Sequence, residues 1–316
     1  MNVRKSKDRI GQVLLHFAAW LSELFPFTDI YSAPATRVNC EMLDEMRVEM
    51  KSMAMVRGLA TLILAGTLMF AADSSAATTP APILVELFTS EGCSSCPPAD
   101  ALLQQLDSSQ PISGAQLIVL SEHVTYWDHL GWKDPYSSSY VTERQANYVT
   151  RFSLASSYTP EMVVDGTTEF VGNNVQLAKE ALEKAHLVQK APIHISSISS
   201  EVPGKLQAYV EANALTQAPS ADIYFVVALN HAESQVEKGE NQGHHLTYVA
   251  VVKSMTKVGT VDKSHSFAKQ IEVKLDPQTD LTNVRVITFL QQRGSGPVIG
   301  AAMNELSPAA KHAGSQ

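Results

Sequence analysis

An apolar run stops, two cysteines stand two residues apart, and two prolines follow: this succession in residues 83–100 limits the possible folds more than any other stretch. Ile83, Leu84, Val85, Leu87 and Phe88 form a run too short and too β-branched to favour helix, so it reads as a strand. Pro97 and Pro98 stand where a helix begins, because proline's fixed φ suits the first turn and its missing N–H has no partner there anyway. Ala101, Leu102, Leu103 and Leu106 then supply a helical period. Strand, Cys-x-x-Cys, helix is the context that gives this spacing a redox meaning.

A thiolate, not a thiol, attacks a disulfide, so a working pair needs something to stabilise negative sulfur. With a helix starting near Cys96, Cys93 is expected just ahead of free backbone N–H groups and the positive end of the dipole. An exposed, nucleophilic Cys93 and a more buried, resolving Cys96 follow. Two plainer readings compete. A structural disulfide closing so small a loop contributes only about 2 kcal/mol on loop entropy. A structural zinc site normally takes four protein ligands, and no second cysteine pair exists.

At 316 residues the chain has room for one large domain or two ordinary ones. A formal net charge of −8 gives no electrostatic reason to expect nucleic acid, leaving protein or small-molecule thiols and disulfides as partners. No cofactor and no resident metal are expected. Residues 59–72 are almost continuously apolar, follow Lys51 and Arg57, and precede the small residues Ser74 to Ala77. That is the layout of a secretory signal peptide, too short to span a bilayer comfortably, with an uncleaved anchor as the alternative. The expected organisation is an upstream start extension at 1–49, a signal peptide at 50–77, and an exported, periplasmic or secreted product with no stable membrane span. Cys40 is lost with the leader. Cys93 and Cys96 then remain in an oxidising compartment that favours their disulfide.

Residues 78–190 alternate strand and helix, giving an α/β unit with a central mixed sheet and flanking helices. Residues 115–121 read as a buried parallel strand, 139–153 as a helix with Tyr140, Val141, Tyr148 and Val149 inward, 161–164 and Phe170-Val171 as a hairpin, and 175–188 as a closing helix. From 191 to 316 short β-type runs follow one another without helix, which predicts a separate β-rich, sandwich-like domain.

The segment from Val85 to Asp100, with Tyr158-Thr159-Pro160 ahead of a strand, resembles the thioredoxin superfamily. The residues from Glu86 to Asp100, His123 with Tyr126-Trp127-Asp128, Leu130-Gly131-Trp132 with Asp134-Pro135, Tyr158 to Gly166, Gly239-Glu240-Asn241 and Gly300-Ala301-Ala302 are similar to a family of secreted bacterial thioredoxin-like proteins known chiefly as a domain of unknown function. The resemblance implies a thioredoxin-like fold and an exported thiol–disulfide oxidoreductase, with Cys93 as nucleophile and Cys96 resolving. It implies a cis Pro160 beside the pair and Thr159 offering backbone hydrogen bonds to substrate. His123, Tyr126 and Trp127 are candidate substrate contacts. Leu87 stands where many thioredoxins carry an acid, so Glu91 or His123 is the expected proton shuttle; Glu86, its neighbour, belongs on the opposite strand face. A non-enzymatic module that binds copper or a partner is the alternative, using Cys93, Cys96 and His123. Gly243-His244-His245 is a weaker metal candidate.

Overall fold

The computed structural model describes residues 80–306, apart from 201, 203 and 217–219. The expected extension at 1–49, the signal peptide at 50–77 and Cys40 lie outside the described residues. Among the described residues no helix is long and apolar enough to cross a membrane.

In chain order the elements are β1 (Ala81–Thr89), α1 (Pro97–Ser109), β2 (Ala115–His123), α2 (Ser139–Phe152), β3 (Glu161–Val164), β4 (Thr168–Val171), α3 (Val175–His186), β5 (Ile193–Ser199), β6 (Lys205–Ala212), β7 (Ser220–Gln235), β8 (His245–Asp262), β9 (Phe267–Lys274), β10 (Val284–Gln292) and β11 (Val298–Glu305). Eight strands form one mixed sheet in the order β11-β10-β7-β8-β2-β1-β3-β4. β1 and β2 run parallel, β8 joins β2 in parallel at Ser121 and Val251, and the remaining pairs are antiparallel. Parallel β1 and β2 are buried on both faces, which is why their sequence is almost continuously apolar.

The pleat sorts their side chains into two layers. Ile83, Val85, Leu87, Leu117 and Val119 pack under α1 and α3, with Leu103, Ala178 and Leu182 above them. Leu84, Ile118 and Leu120 face the other way, against Val226, Ile287 and Phe289 of β7 and β10. The division expected near residue 190 does not interrupt the sheet, because β7, β8, β10 and β11 extend it beyond β2. The expected sandwich shares this sheet. The small sheet β5-β6-β9 covers one end, where Ile193, Leu206, Val210 and Phe267 meet Ile223, Phe225 and Val286.

α2 departs from its expected burial. Its inward face is Val141, Arg144, Gln145 and Tyr148, while Tyr140 and Val149 are only half-buried. Two polar side chains take core positions because buried glutamates on the strands below supply partners for them.

Candidate functional site

Cys93 and Cys96 are joined by a disulfide with an S–S distance of 2.10 Å, in the turn between β1 and α1. Cys96 is the N-cap of α1 with helical φ/ψ, and Pro97 and Pro98 occupy the first helical positions. The turn lies at the carboxyl ends of parallel β1 and β2, where α/β sheets commonly gather their sites.

Two expectations for Cys93 need correction. Its side chain is not exposed: both cysteines are 0% accessible, and only Ser94 and Ser95 at the crest of the turn reach solvent. Nor does a row of free N–H groups face it. Pro97 and Pro98 carry none, the Ala99 and Asp100 N–H groups both donate to the Cys96 carbonyl, and the Cys96 N–H donates to the Cys93 carbonyl. The prolines that start the helix also remove donors a thiolate would use.

The cover comes from the far half of the chain. The tip of the β7–β8 hairpin lies on the cysteine turn, and Asn241, 2% exposed, donates from Nδ2 to the carbonyl oxygens of Glu91 at 2.8 Å and Cys93 at 3.0 Å. Glu240 accepts the Ser94 N–H at 3.1 Å. His244 and His245 stand at this tip with exposed side chains. Among the described residues no group of three or more His, Cys, Asp or Glu side chains is arranged to hold a metal ion.

Beneath the turn lies a buried polar cluster. Thr89 and His123, the last residues of β1 and β2, are register partners on the face covered by α1. His123 Nδ1 is 2.7 Å from Asp134 Oδ2, and its Nε2 is 3.2 Å from the Ser121 hydroxyl. Asp134 also accepts the Glu91 and Tyr136 N–H groups, each at 2.9 Å. Its carboxylate lies below the usual range because the His123 charge and these donors outweigh its burial. His123 is buried, which disfavours its charge, yet the adjoining Asp134 raises it above its ordinary value. Glu91 accepts from Trp132 Nε1 at 2.6 Å and is raised, first by burial and then by Asp134. Tyr136 and Tyr248 meet the His123 ring edge-on, at 5.4 and 4.7 Å between centroids.

Sequence reasoning found Glu91 and His123 here but missed Asp100, Asp134, Tyr248 and Asn241 as members of the site. Asp100 had a signal: it lies four residues after Cys96, hence on the same side of α1. Tyr248 had none, because only the crossing of β8 beside β2 brings it in. Both ring nitrogens of His123 are engaged by oxygen partners, the Ser121 hydroxyl and the Asp134 carboxylate.

The peptide bond Thr159–Pro160 is cis, and Pro160 is buried one residue ahead of β3. A Cβ on Gly172 would meet Leu87 Cδ1 at 2.7 Å, Ala99 at 3.2 Å and Pro160 at 3.3 Å, so the absent side chain lets β1, α1 and Pro160 close on one another. Thr159 Oγ1 accepts from Trp127 Nε1 at 2.9 Å, and Tyr126 donates to Gln145 Oε1 at 3.2 Å. Tyr126 and Trp127 are half-buried against Phe88, Val124 and Tyr148. Glu86 faces away from Leu87, as the pleat requires. It pairs with Arg144 Nε at 2.5 Å and accepts from the Tyr148 hydroxyl at 2.7 Å.

The family described as "Protein of unknown function (DUF1223)" matches residues 84–291, a span that holds both the cysteine turn and the hairpin tip. No curated protein matches the chain. Among solved structures, protein AGR_C_4864 from Agrobacterium tumefaciens is similar at 23% identity and a TM-score of 0.54, over 72% of this chain and 97% of that one. HBP35 of Porphyromonas gingivalis is similar at 15% identity and a TM-score of 0.52, over 75% of this chain and 79% of that one. At these identities the likeness concerns the fold alone.

Proposed function

The chain belongs to the DUF1223 family, whose description assigns no activity, and from that premise we propose an exported thiol–disulfide oxidoreductase of thioredoxin-like architecture, with Cys93 and Cys96 as its working pair. The observation that carries the proposal is the placing of a closed Cys93–Cys96 disulfide at the start of α1, directly above a buried cluster of titratable groups. A disulfide that only stabilised a short turn would have no use for such neighbours. Buried ionisable groups are costly, and they gather where proton movement accompanies chemistry.

In this reading a substrate thiolate attacks the Cys93 sulfur, a bond forms between them, and the Cys96 sulfur leaves with the electron pair of the old S–S bond. A second substrate thiolate then attacks the mixed disulfide on the substrate sulfur, and Cys93 leaves as thiolate. The substrate pair is oxidised to a disulfide and the protein pair is reduced; the reverse sequence oxidises the protein. An extended substrate would, in this reading, lie along Thr159 and Pro160, whose peptide bond is cis. The hairpin tip must move aside first, since both sulfurs are covered.

The test is disulfide exchange with a peptide dithiol, followed by mass and by alkylation of released thiols, together with the reduction potential of the pair. Exchange abolished by Cys93→Ser and trapped as a mixed disulfide by Cys96→Ser is the expected result. No exchange by the parent protein at any pH between 5 and 9 would reject the proposal.

A further inference from the structure

We infer that the buried carboxyl of Asp100 is the proton carrier of the Cys93–Cys96 pair, protonating the Cys96 sulfur as the disulfide opens and recovering that proton as it closes. The inference deepens the proposed exchange reaction and rests on it for its biological use.

Position comes first. Cys96 has helical φ/ψ and the Asp100 N–H donates to its carbonyl at 3.1 Å, so the two residues stand one turn apart on the same side of α1. Side chains on a helix tilt toward its N-terminus, which aims the Asp100 carboxyl back toward Cys96. Both residues are buried, at 5% and 0% exposure, so no bulk water separates them from the cluster below.

Unmet bonding comes second. Asp100 Oδ1 is buried beside the Thr89 hydroxyl without closing a well-formed hydrogen bond to it, and Glu91 Oε1 and the Tyr248 hydroxyl in the same cluster are also without a partner. An orphaned buried carboxyl oxygen is expensive and needs a reason. With its proton on that oxygen the carboxyl donates to a sulfur carrying negative charge, a partner that appears only during the reaction.

Leaving Cys96 as a thiolate inside the protein requires compensation, and the prolines at 97 and 98 remove the N–H groups that a helix start normally provides. Proton delivery supplies that compensation. Among the groups facing Asp100, burial dominates and pushes it up to about 7; the His123 charge and the Thr89 hydroxyl act against it, while Asp134 and Glu91 act with it. A group titrating there gives and takes protons with comparable ease near neutral pH.

The step balances. As the attacking thiolate bonds to Cys93, Cys96 takes the S–S electron pair and the Asp100 proton, leaving Cys96 thiol and Asp100 carboxylate. In the closing direction Asp100 carboxylate removes that proton, and the Cys96 thiolate attacks the mixed disulfide at Cys93.

Dithiothreitol opens the pair directly and is the probe. The opening rate per dithiothreitol thiolate is measured from pH 5 to 9 for the parent chain and for Asp100→Asn, which keeps the shape and removes the titration. The parent rate should fall as pH rises through about 7, while the variant should be flat and about a hundredfold slower at pH 6, the lower end of what acid–base groups contribute. Infrared difference spectra of the unaltered protein, reduced minus oxidised, give a readout independent of the variant's folding. At pH 6 the protonated-carboxyl band should shift in frequency on reduction, as a Cys96 thiol replaces the disulfide sulfur beside it, and at pH 9 no such band should respond. Matching rates and pH profiles in the two proteins, or a carboxyl band indifferent to reduction, would overturn the inference. Failure to exchange with a peptide dithiol, with the dithiothreitol result intact, would instead reject the proposed function and leave the proton coupling standing.

Discussion

Arg144 brings one cation into a buried layer that holds Glu86, Glu122 and Glu161, each on a different strand. It bonds Glu86 Oε1, lies 3.8 Å from Glu122 Oε1, donates to Gln291 Oε1 at 3.1 Å, and sits 5.2 Å from the ring centroids of Tyr148 and Phe289. Removing one member of a buried ion pair strands the other, so Arg144→Met should cost about 3–5 kcal/mol in urea unfolding. Glu122 is the carboxyl with no bond to either oxygen, and burial followed by the nearby Glu86 charge holds it well above the usual carboxylate range against the pull of Arg144. The partner stranded by losing Arg144 is Glu86, so Glu86→Gln in the Arg144→Met background should restore part of the loss. Purely additive losses from the two changes would refute this account of the layer. Gly172 has its own cost, because a Cβ would press on Leu87, Ala99 and Pro160 from three sides. Gly172→Ala should lose about 1–3 kcal/mol through overpacking next to the cysteine turn, read as a lowered urea midpoint.

The β7–β8 hairpin matters through its length. β7 runs Ser220–Gln235 and β8 runs His245–Asp262, far longer than the other strands, and the surplus projects the tip over a turn some 150 residues earlier in the chain. Two hydrogen bonds from one amide, Asn241, and one to Glu240 tie the tip to the turn, so local opening should be far easier than global unfolding. Asn241→Ala removes the amide's two bonds, a net loss of about 1–3 kcal/mol. The disulfide should then be reduced by dithiothreitol about ten times faster, with the cooperative unfolding transition retained. An unchanged reduction rate would mean that the tip is not what shields the sulfurs.

For the molecule as a whole, the sum of its buried carboxyls sets a direction for stability against pH. Burial pushes Asp100 and Glu161 up to about 7, and Glu122, Glu91 and Asp165 are also raised. A carboxyl raised on folding means that the folded chain binds more protons between its unfolded and folded values, so stability falls as pH rises across that interval. His123, raised mainly by Asp134 despite its burial, adds in the same sense above its unfolded value, because its contribution is lost as pH climbs through the folded one. Asp134 is lowered and acts oppositely, but only below the ordinary carboxylate range. The thermal midpoint should therefore be higher at pH 5 than at pH 8, by an amount on the order of 3 kcal/mol in unfolding free energy. Calorimetry showing an equal or higher midpoint at pH 8 would contradict this.

The α/β order, the buried, parallel character of β2, the hairpin of β3 and β4, and the proline-started helix after the cysteines were all legible in the chain. Each depends on local periodicity, on β-branched runs, or on what proline does to φ and to a missing N–H. The opposite facing of Leu87 and Glu86 was legible for the same reason, since a strand's pleat is local geometry. Tertiary structure alone decided the rest. It made the second half of the chain extend the first half's sheet, because strand pairing is set by register and shared core across long separations. It covered Cys93 with Asn241, turned Arg144 and Gln145 of α2 inward in place of Tyr140 and Val149, and drew Tyr248 to His123. The cysteine pair is a property of the sequence. Its burial and its ring of titratable neighbours are properties of the fold, because burial and proximity come only from elements packing together.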